Sequence, residues 1–204
     1  MPVSLVIWRL LVGTFNGSNV SYFSQGSMGM KQSSSLCFMM IILLLSGDVH
    51  KNPGPTNDKT YSFSVCFWNL NSISVNNFAK LSLLASYNSI YSYDLICLSE
   101  TYLDSSFLPG DERLNLNGYT LTRKDHPDDV KRGGVCVYMK NSLATRVSNV
   151  SRLDECVIIE LIVNNKKGYI LSLYRSPSQT NDEFDEFLLN FDHTLNHISS
   201  LNPS

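Results

Sequence analysis

Asp94-Leu95-Ile96-Cys97-Leu98-Ser99-Glu100-Thr101 is an apolar run that stops abruptly on one acid. Four consecutive apolar residues, Leu95 to Leu98, suit a strand covered on both faces, as in the interior of an α/β sheet. Glutamates are rarely buried without a partner, and ligands of α/β proteins gather at the carboxyl ends of strands. Glu100 is therefore a candidate site residue. The plainer reading, a solvated acid or a cap on the next turn, stays open on this octapeptide alone.

The neighbouring segments extend the pattern. Ser62 to Trp68 alternates as a strand, with Phe63, Val65 and Phe67 on one face. Asn77 is placed to cap a helix reaching about Tyr91, with Phe78, Leu81, Leu84 and Ala85 on one stripe. Beyond Glu100, Asp104–Asn117 reads as a polar loop. Tyr119–Thr122, Gly134–Met139, Ala144–Val147, Cys156–Val163 and Tyr169–Tyr174 read as strands. Asn164 to Gly168 reads as a hairpin turn, with Gly168 able to supply a positive φ. Thr180 or Asn181 is placed to cap a last helix in which Phe184, Phe187, Leu188, Phe191 and Leu195 recur at helical spacing. Strand, helix, strand, then a run of hairpins and a helix, predicts an α/β layered sandwich with a mixed sheet.

The 204 residues are 43% hydrophobic and 17% charged, which fits one globular domain plus additional sequence. Eighteen acids against sixteen Lys and Arg give a net charge of -2, so bulk charge does not mark a nucleic-acid binder. A locally basic groove stays compatible with that balance. The five cysteines, Cys37, Cys66, Cys97, Cys136 and Cys156, show neither a CxxC nor a zinc spacing. The last four lie in apolar strand-like runs and read as small core residues of a reducing, intracellular compartment. His193 and His197 lie four apart, yet without a further ligand at a recognised spacing they read as surface residues.

Residues 1–35, rich in Ser, Gly and Asn, read as a disordered leader. Residues 36–45 form a ten-residue apolar run. A bilayer span needs about 20 such residues, so the run resembles the core of a secretory signal, with Lys31 as its basic flank. It is the one place where membrane contact is conceivable. Export would make Asn149-Val150-Ser151 a glycosylation acceptor, but the unpaired cysteines argue against it. Asn52-Pro53-Gly54-Pro55 stops any helix, so residues 36–60 close with a linker, and a folded domain is expected over 61–204.

Three strand ends now line up: Trp68-Asn69-Leu70-Asn71-Ser72, Leu95 to Thr101, and Leu173-Tyr174-Arg175-Ser176-Pro177. Between the last two lies the glycine-rich lead-in Lys131-Arg132-Gly133-Gly134-Val135-Cys136-Val137. In this order they resemble the endonuclease/exonuclease/phosphatase superfamily, with its deoxyribonuclease I-like fold. More narrowly, residues 61–204 resemble the N-terminal endonuclease domain of non-LTR retrotransposon polyproteins. The resemblance implies a four-layer α/β sandwich of two mixed sheets flanked by helices. It also implies a Mg²⁺-dependent phosphodiesterase that nicks duplex target-site DNA to prime reverse transcription, with no obligate protein partner. Glu100 matches the family's metal-holding glutamate, and Mg²⁺ prefers such oxygen ligands. Asn69 matches an Asn that positions the phosphate or the catalytic network. Asn71 falls where many relatives carry an Asp of the metal site; without a charge it is left a substrate-side role. Tyr174 matches a tyrosine that approaches the scissile phosphate, and Arg175 adds charge there. The bland readings remain that Asn69 and Asn71 form turns and that Tyr174 is a strand-end aromatic. The family's later Gly-Asp-Phe-Asn strand, further Asp and terminal Ser-Asp-His have no counterpart in these 204 residues. An incomplete domain is therefore expected, with a catalytically inactive remnant as the alternative.

Asp48-Val49-His50-Lys51-Asn52-Pro53-Gly54-Pro55 resembles a 2A-type ribosome-skipping peptide, with His50 where the usual pattern has Glu. The resemblance implies that no bond forms between Gly54 and Pro55, so that a second product begins at Pro55. A Pro/Gly linker is the alternative.

Overall fold

β3 (Phe63–Asn69) and β4 (Leu95–Ser99) run parallel, with Val65 opposite Leu95 and Asn69 opposite Ser99. Parallel neighbours need a long crossover, and here it is α1 (Val75–Tyr91). The computed structural model describes residues 5–10, 43–45, 63–128, 132–143, 145–148, 151–163, 166–176 and 179–200. Asp94 fixes the start of β4. Its carboxylate accepts from the Ser64 amide (2.8 Å) and hydroxyl (2.9 Å), and its own amide donates to the Ser64 carbonyl (2.9 Å).

The first sheet continues with β5 (Tyr119–Lys124) and β6 (Val135–Lys140), and β1 (Leu5–Leu10) lies at its other edge. The order is β1-β3-β4-β6-β5. The second sheet contains β2 (Leu43–Leu45), β7 (Thr145–Ser148), β8 (Cys156–Val163) and β9 (Lys166–Leu173), in the order β2-β9-β8-β7. The first sheet is mixed. Every described pairing of the second is antiparallel; for β7, β8 and β9 this follows from their being consecutive strands without a crossover. α2 (Asn181–Ser200) covers the outer face of the second sheet.

Three apolar clusters make the layers. Cys66, Trp68, Ile96, Leu98, Cys136 and Tyr138 face α1, where Leu81 and Leu84 meet them. Val65, Phe67, Leu95, Cys97, Val135 and Val137 face the other way, onto Val157, Ile159, Leu161 and Ile170 of the second sheet. Cys156, Ile158, Tyr169, Leu171 and Leu173 face α2, against Ile198, Phe187, Phe191 and Leu195. β3 is thus buried on both faces from Val65 to Trp68, not only on the one face expected from alternation. Full burial of a residue such as Leu95 or Ile96 stabilises the fold by about 1.5–3 kcal/mol each. The four described cysteines are buried free thiols in these clusters. Burial pushes Cys66 up to about 12 and Cys156 up to about 11.

Several boundaries differ from the sequence reading. Asn76, Asn77 and Phe78 take positive φ (54°, 53°, 60°), so the right-handed part of α1 begins just after the expected cap, Asn77. The polar loop 104–117 holds Phe107, Leu114 and Leu116 in the core, and the Tyr138 hydroxyl donates to the Leu114 carbonyl (2.7 Å). Gly168 lies inside β9 opposite Leu161, since Val163 already pairs with Lys166. α2 begins with a capping box. The Thr180 hydroxyl accepts from the Glu183 amide (3.3 Å), and the Glu183 carboxylate accepts from the Thr180 amide (2.6 Å). Its buried stripe is turned from the expected one, leaving Phe184 and Leu188 exposed.

Within 1–35, expected to be a disordered leader, Leu5–Leu10 is a strand antiparallel to β3. Leu43–Leu45 of the signal-like run pairs with β9. Both complete sheet edges, whose unpaired N–H and C=O groups accept an extended apolar segment readily. The 2A-like segment Asp48–Pro55, with Asn52, Pro53 and Gly54, lies outside the described residues. Among the described residues no helix is long and apolar enough to cross a membrane.

Candidate active site at the strand ends

Asn69 and Glu100 stand at the carboxyl ends of neighbouring parallel strands. The chain after β3 keeps following the chain after β4. Leu70 donates to the Ser99 carbonyl (2.9 Å), Ser72 to that of Glu100 (2.7 Å) and Ile73 to that of Thr101 (2.9 Å). The Asn69 side-chain oxygen accepts from the Asn71 amide (3.1 Å), an Asx-type turn. Asn71 takes a φ of 45°, which Asn tolerates better than most residues. The amide oxygen of Asn69 thus shapes the turn, and Asn71 is its exposed tip.

Lys80 reaches this turn from α1. Its ammonium donates to the carbonyls of Leu70, Asn71 (2.8 Å) and Ser72 (3.1 Å). Burial pulls its pKa below the ordinary lysine value, and the field of Glu100 opposes that shift. Sequence reading missed Lys80. The available signal was that it is the only Lys, Arg, Asp, Glu or His in α1.

Glu100 itself has a φ of 51°. A non-glycine residue held in this region costs about 1–3 kcal/mol and persists only where its surroundings over-determine it. Here they do. The Glu100 carbonyl accepts from Ser72, and the next two amides, Thr101 and Tyr102, donate to Gly134 (3.3 Å) and Gly133 (3.1 Å). The carboxylate, half-buried, accepts from the Tyr174 hydroxyl at 3.2 Å.

Tyr174 follows β9. Its amide donates to the Glu155 carbonyl (3.0 Å), and its ring packs against the cluster between the sheets. The Glu155 carboxylate accepts from the Gly134 amide. Burial raises its pKa above the ordinary glutamate value; Gly134 and Arg132 oppose the shift, while Asp154 and Glu100 add to it. Glu155 was also missed. Like Glu100 it is an acid at the end of an apolar run, but at the run's start. Arg175 is engaged with α2: its guanidinium lies 5.0 Å from the Phe184 ring centroid and donates to the Ser176 carbonyl (3.4 Å). So Glu100 and Tyr174 meet, Asn69 and Asn71 form the adjoining turn, and Arg175 is held by Phe184.

A cleft of about 520 Å³ opens beside Tyr174, lined also by Tyr102, Arg132, Glu155, Glu183 and Phe187. Its lining carries five carboxylates (Asp128, Asp154, Glu155, Glu183, Glu186) and two guanidinium groups (Arg132, Arg152), with His126. It is a net-acidic surface, attractive to cations. His193 and His197 are exposed on α2, and among the described residues no group of three or more His, Cys, Asp or Glu could hold a metal ion.

No family model matches the chain, and no curated protein matches it. A solved structure, the AP endonuclease LMAP from Leishmania major, is similar with a TM-score of 0.52 and 17% identity. The match covers 65% of this chain and 46% of that one, so the chain spans less than half the length of this neighbour. At this identity the likeness speaks for architecture. With the two packed sheets and their flanking helices, it shows that the chain has the layered α/β sandwich fold of the deoxyribonuclease I type.

Proposed function

We propose that this chain belongs to a metal-dependent phosphodiesterase acting on DNA, the endonuclease of a non-LTR retrotransposon. The observation that carries the reading is the Tyr174–Glu100 hydrogen bond, which joins two motif residues 74 positions apart at one rim of the sandwich. Asn69, at the end of the adjacent strand, would help orient a phosphate there, and Arg175 would add charge if released from Phe184.

The donors at hand fit a hard cation. Glu100 offers a half-buried carboxylate, the Tyr174 hydroxyl lies 3.2 Å from it, and the cleft beside Tyr174 is net acidic. Mg²⁺ commonly binds through one or two carboxylates plus phosphate and water, so Glu100 would hold it. When bound, such an ion neutralises charge on a phosphoryl oxygen and lowers the pKa of water. Glu100 binds and orients, Tyr174 fixes the carboxylate rotamer and presents a hydroxyl, and Lys80 keeps the Leu70–Ser72 turn in place.

A second reading keeps the fold without turnover. It is favoured by the neutral Asn71 and by the Lys80 ammonium, whose positive charge lies in the field of Glu100. A plasmid-nicking assay in Mg²⁺ separates the two. Open-circle product that disappears in Glu100→Ala supports catalysis; intact plasmid despite cation binding at Glu100 supports the second reading. Ahead of the domain, Asp48–Pro55 is proposed to act during translation, releasing a product that begins at Pro55.

A further inference from the structure

Glu155 belongs to none of the matched motifs, yet it touches both halves of the candidate site. Its carboxylate accepts from the Gly134 amide, and the Gly134 carbonyl accepts from Thr101, the residue after Glu100. Its own carbonyl accepts from Tyr174, whose hydroxyl returns to the Glu100 carboxylate. These contacts form a closed ring: Glu100, Thr101, Gly134, Glu155, Tyr174 and back to Glu100. The ring crosses between the two sheets twice, once through the Tyr174–Glu100 hydrogen bond and once through the Glu155 side chain on Gly134.

The glycines leave room for that link. A Cβ on Gly133 would collide with the Glu155 carboxylate, and one on Gly134 would lie 2.7 Å from the Thr101 hydroxyl. Both glycines have positive φ, 57° and 78°. Thr101 is fully buried, so its side chain cannot retreat. Even a half-buried carboxylate is costly to hold unless it is hydrogen-bonded, and the Gly134 amide supplies a charge-assisted bond.

We propose that Glu155 is a positioning residue: the reach of its side chain to Gly134 sets the separation of Glu100 and Tyr174 across the two sheets. This rests on the reading of Glu100 and Tyr174 as the working pair, but it concerns only how they are held. The role requires an acceptor oxygen at the end of a two-methylene arm. It does not require a negative charge, which distinguishes it from a cation ligand.

The test is the ring ¹³Cζ resonance of Tyr174 in the full 204-residue chain, assigned with Tyr174→Phe and recorded without metal. Glu100→Ala gives the position of a Tyr174 hydroxyl that has lost its partner. Glu155→Ala is expected to move the resonance to that position, and Glu155→Gln, which keeps the acceptor and the arm, is expected to leave it in place. Ile198→Ala, a core change under α2, should not move it. If Glu155→Ala does not fold, Glu155→Asp decides, since it keeps the charge and loses the reach; it should move the resonance. An unmoved signal in Glu155→Ala or Glu155→Asp overturns the proposal. So does equal displacement by Glu155→Gln, which would make charge the relevant property. Adding Mn²⁺ afterwards reads cation binding separately, so failure of the metal reading leaves the metal-free result interpretable.

Discussion

The Tyr174 hydroxyl donates to the Glu100 carboxylate across 3.2 Å, tying the end of β9 in one sheet to the end of β4 in the other. A hydrogen bond to a charged group contributes about 1.5–3 kcal/mol, less where solvent reaches it. Both residues are half-buried. A double-mutant cycle of Glu100→Gln and Tyr174→Phe, read by urea unfolding, should return a coupling of about 1 kcal/mol. Additive single changes would show that the contact does not hold the two sheets together.

Backbone strain at Glu100 predicts an unusual ranking. Its φ of 51° suits glycine. Glu100→Gly should therefore be more stable than Glu100→Ala by about 1 kcal/mol, although glycine normally weakens a structure by enlarging the unfolded ensemble. Chemical denaturation of the two variants decides, and a more stable alanine variant would rule out the strain.

Gly134→Ala tests the room beside Thr101. Its φ of 78° and the 2.7 Å approach to the Thr101 hydroxyl act together. A loss of at least about 1–2 kcal/mol is expected from the backbone alone. A neutral Gly134→Ala in thermal unfolding would mean that the turn relaxes freely.

Glu155 gives a pH dependence of defined sign. Its folded pKa is raised above 4.5 by burial. The stabilisation is therefore fully present below about that value and is lost as pH rises through the folded pKa, because the folded state resists ionisation. Glu155→Gln should flatten this slope, gaining on the parent protein between acidic and neutral pH in urea midpoints. Parallel pH profiles for the two proteins would contradict the assignment.

For the leader, in vitro translation should yield two products separated at Gly54–Pro55, and Pro55→Ala should restore one full-length chain. A single band from both templates would remove the skipping reading of Asp48–Pro55.

The main strands were legible because burial on both faces leaves a dense apolar signature: Leu95–Leu98 and Cys156–Ile159 need no tertiary information to be read. Glu100 stood out as the acid ending such a run. Lys80 and Glu155 did not, because their roles depend on how the chain turns back on itself, which neither periodicity nor composition records. The carbonyls that hold Lys80 lie in the turn just before α1, eight to ten residues back, and Glu155 meets Gly134 from 21 residues away. Arg175 was legible as a charge next to Tyr174, but its seat on Phe184 depends on where α2 packs. The orientation of α2 was misjudged for a related reason. Phe184 and Leu188 share a helical period with Phe187 and Phe191, and only the face of the second sheet selects between them.

The most direct test of the account is paramagnetic broadening of the Tyr174 ring resonances by substoichiometric Mn²⁺. If Glu100 holds a divalent cation beside Tyr174, these signals broaden first, Mg²⁺ in excess restores them, and Glu100→Ala abolishes the effect while the fold persists. Broadening unaffected by Glu100→Ala, or none at Tyr174, would contradict the assignment of Glu100.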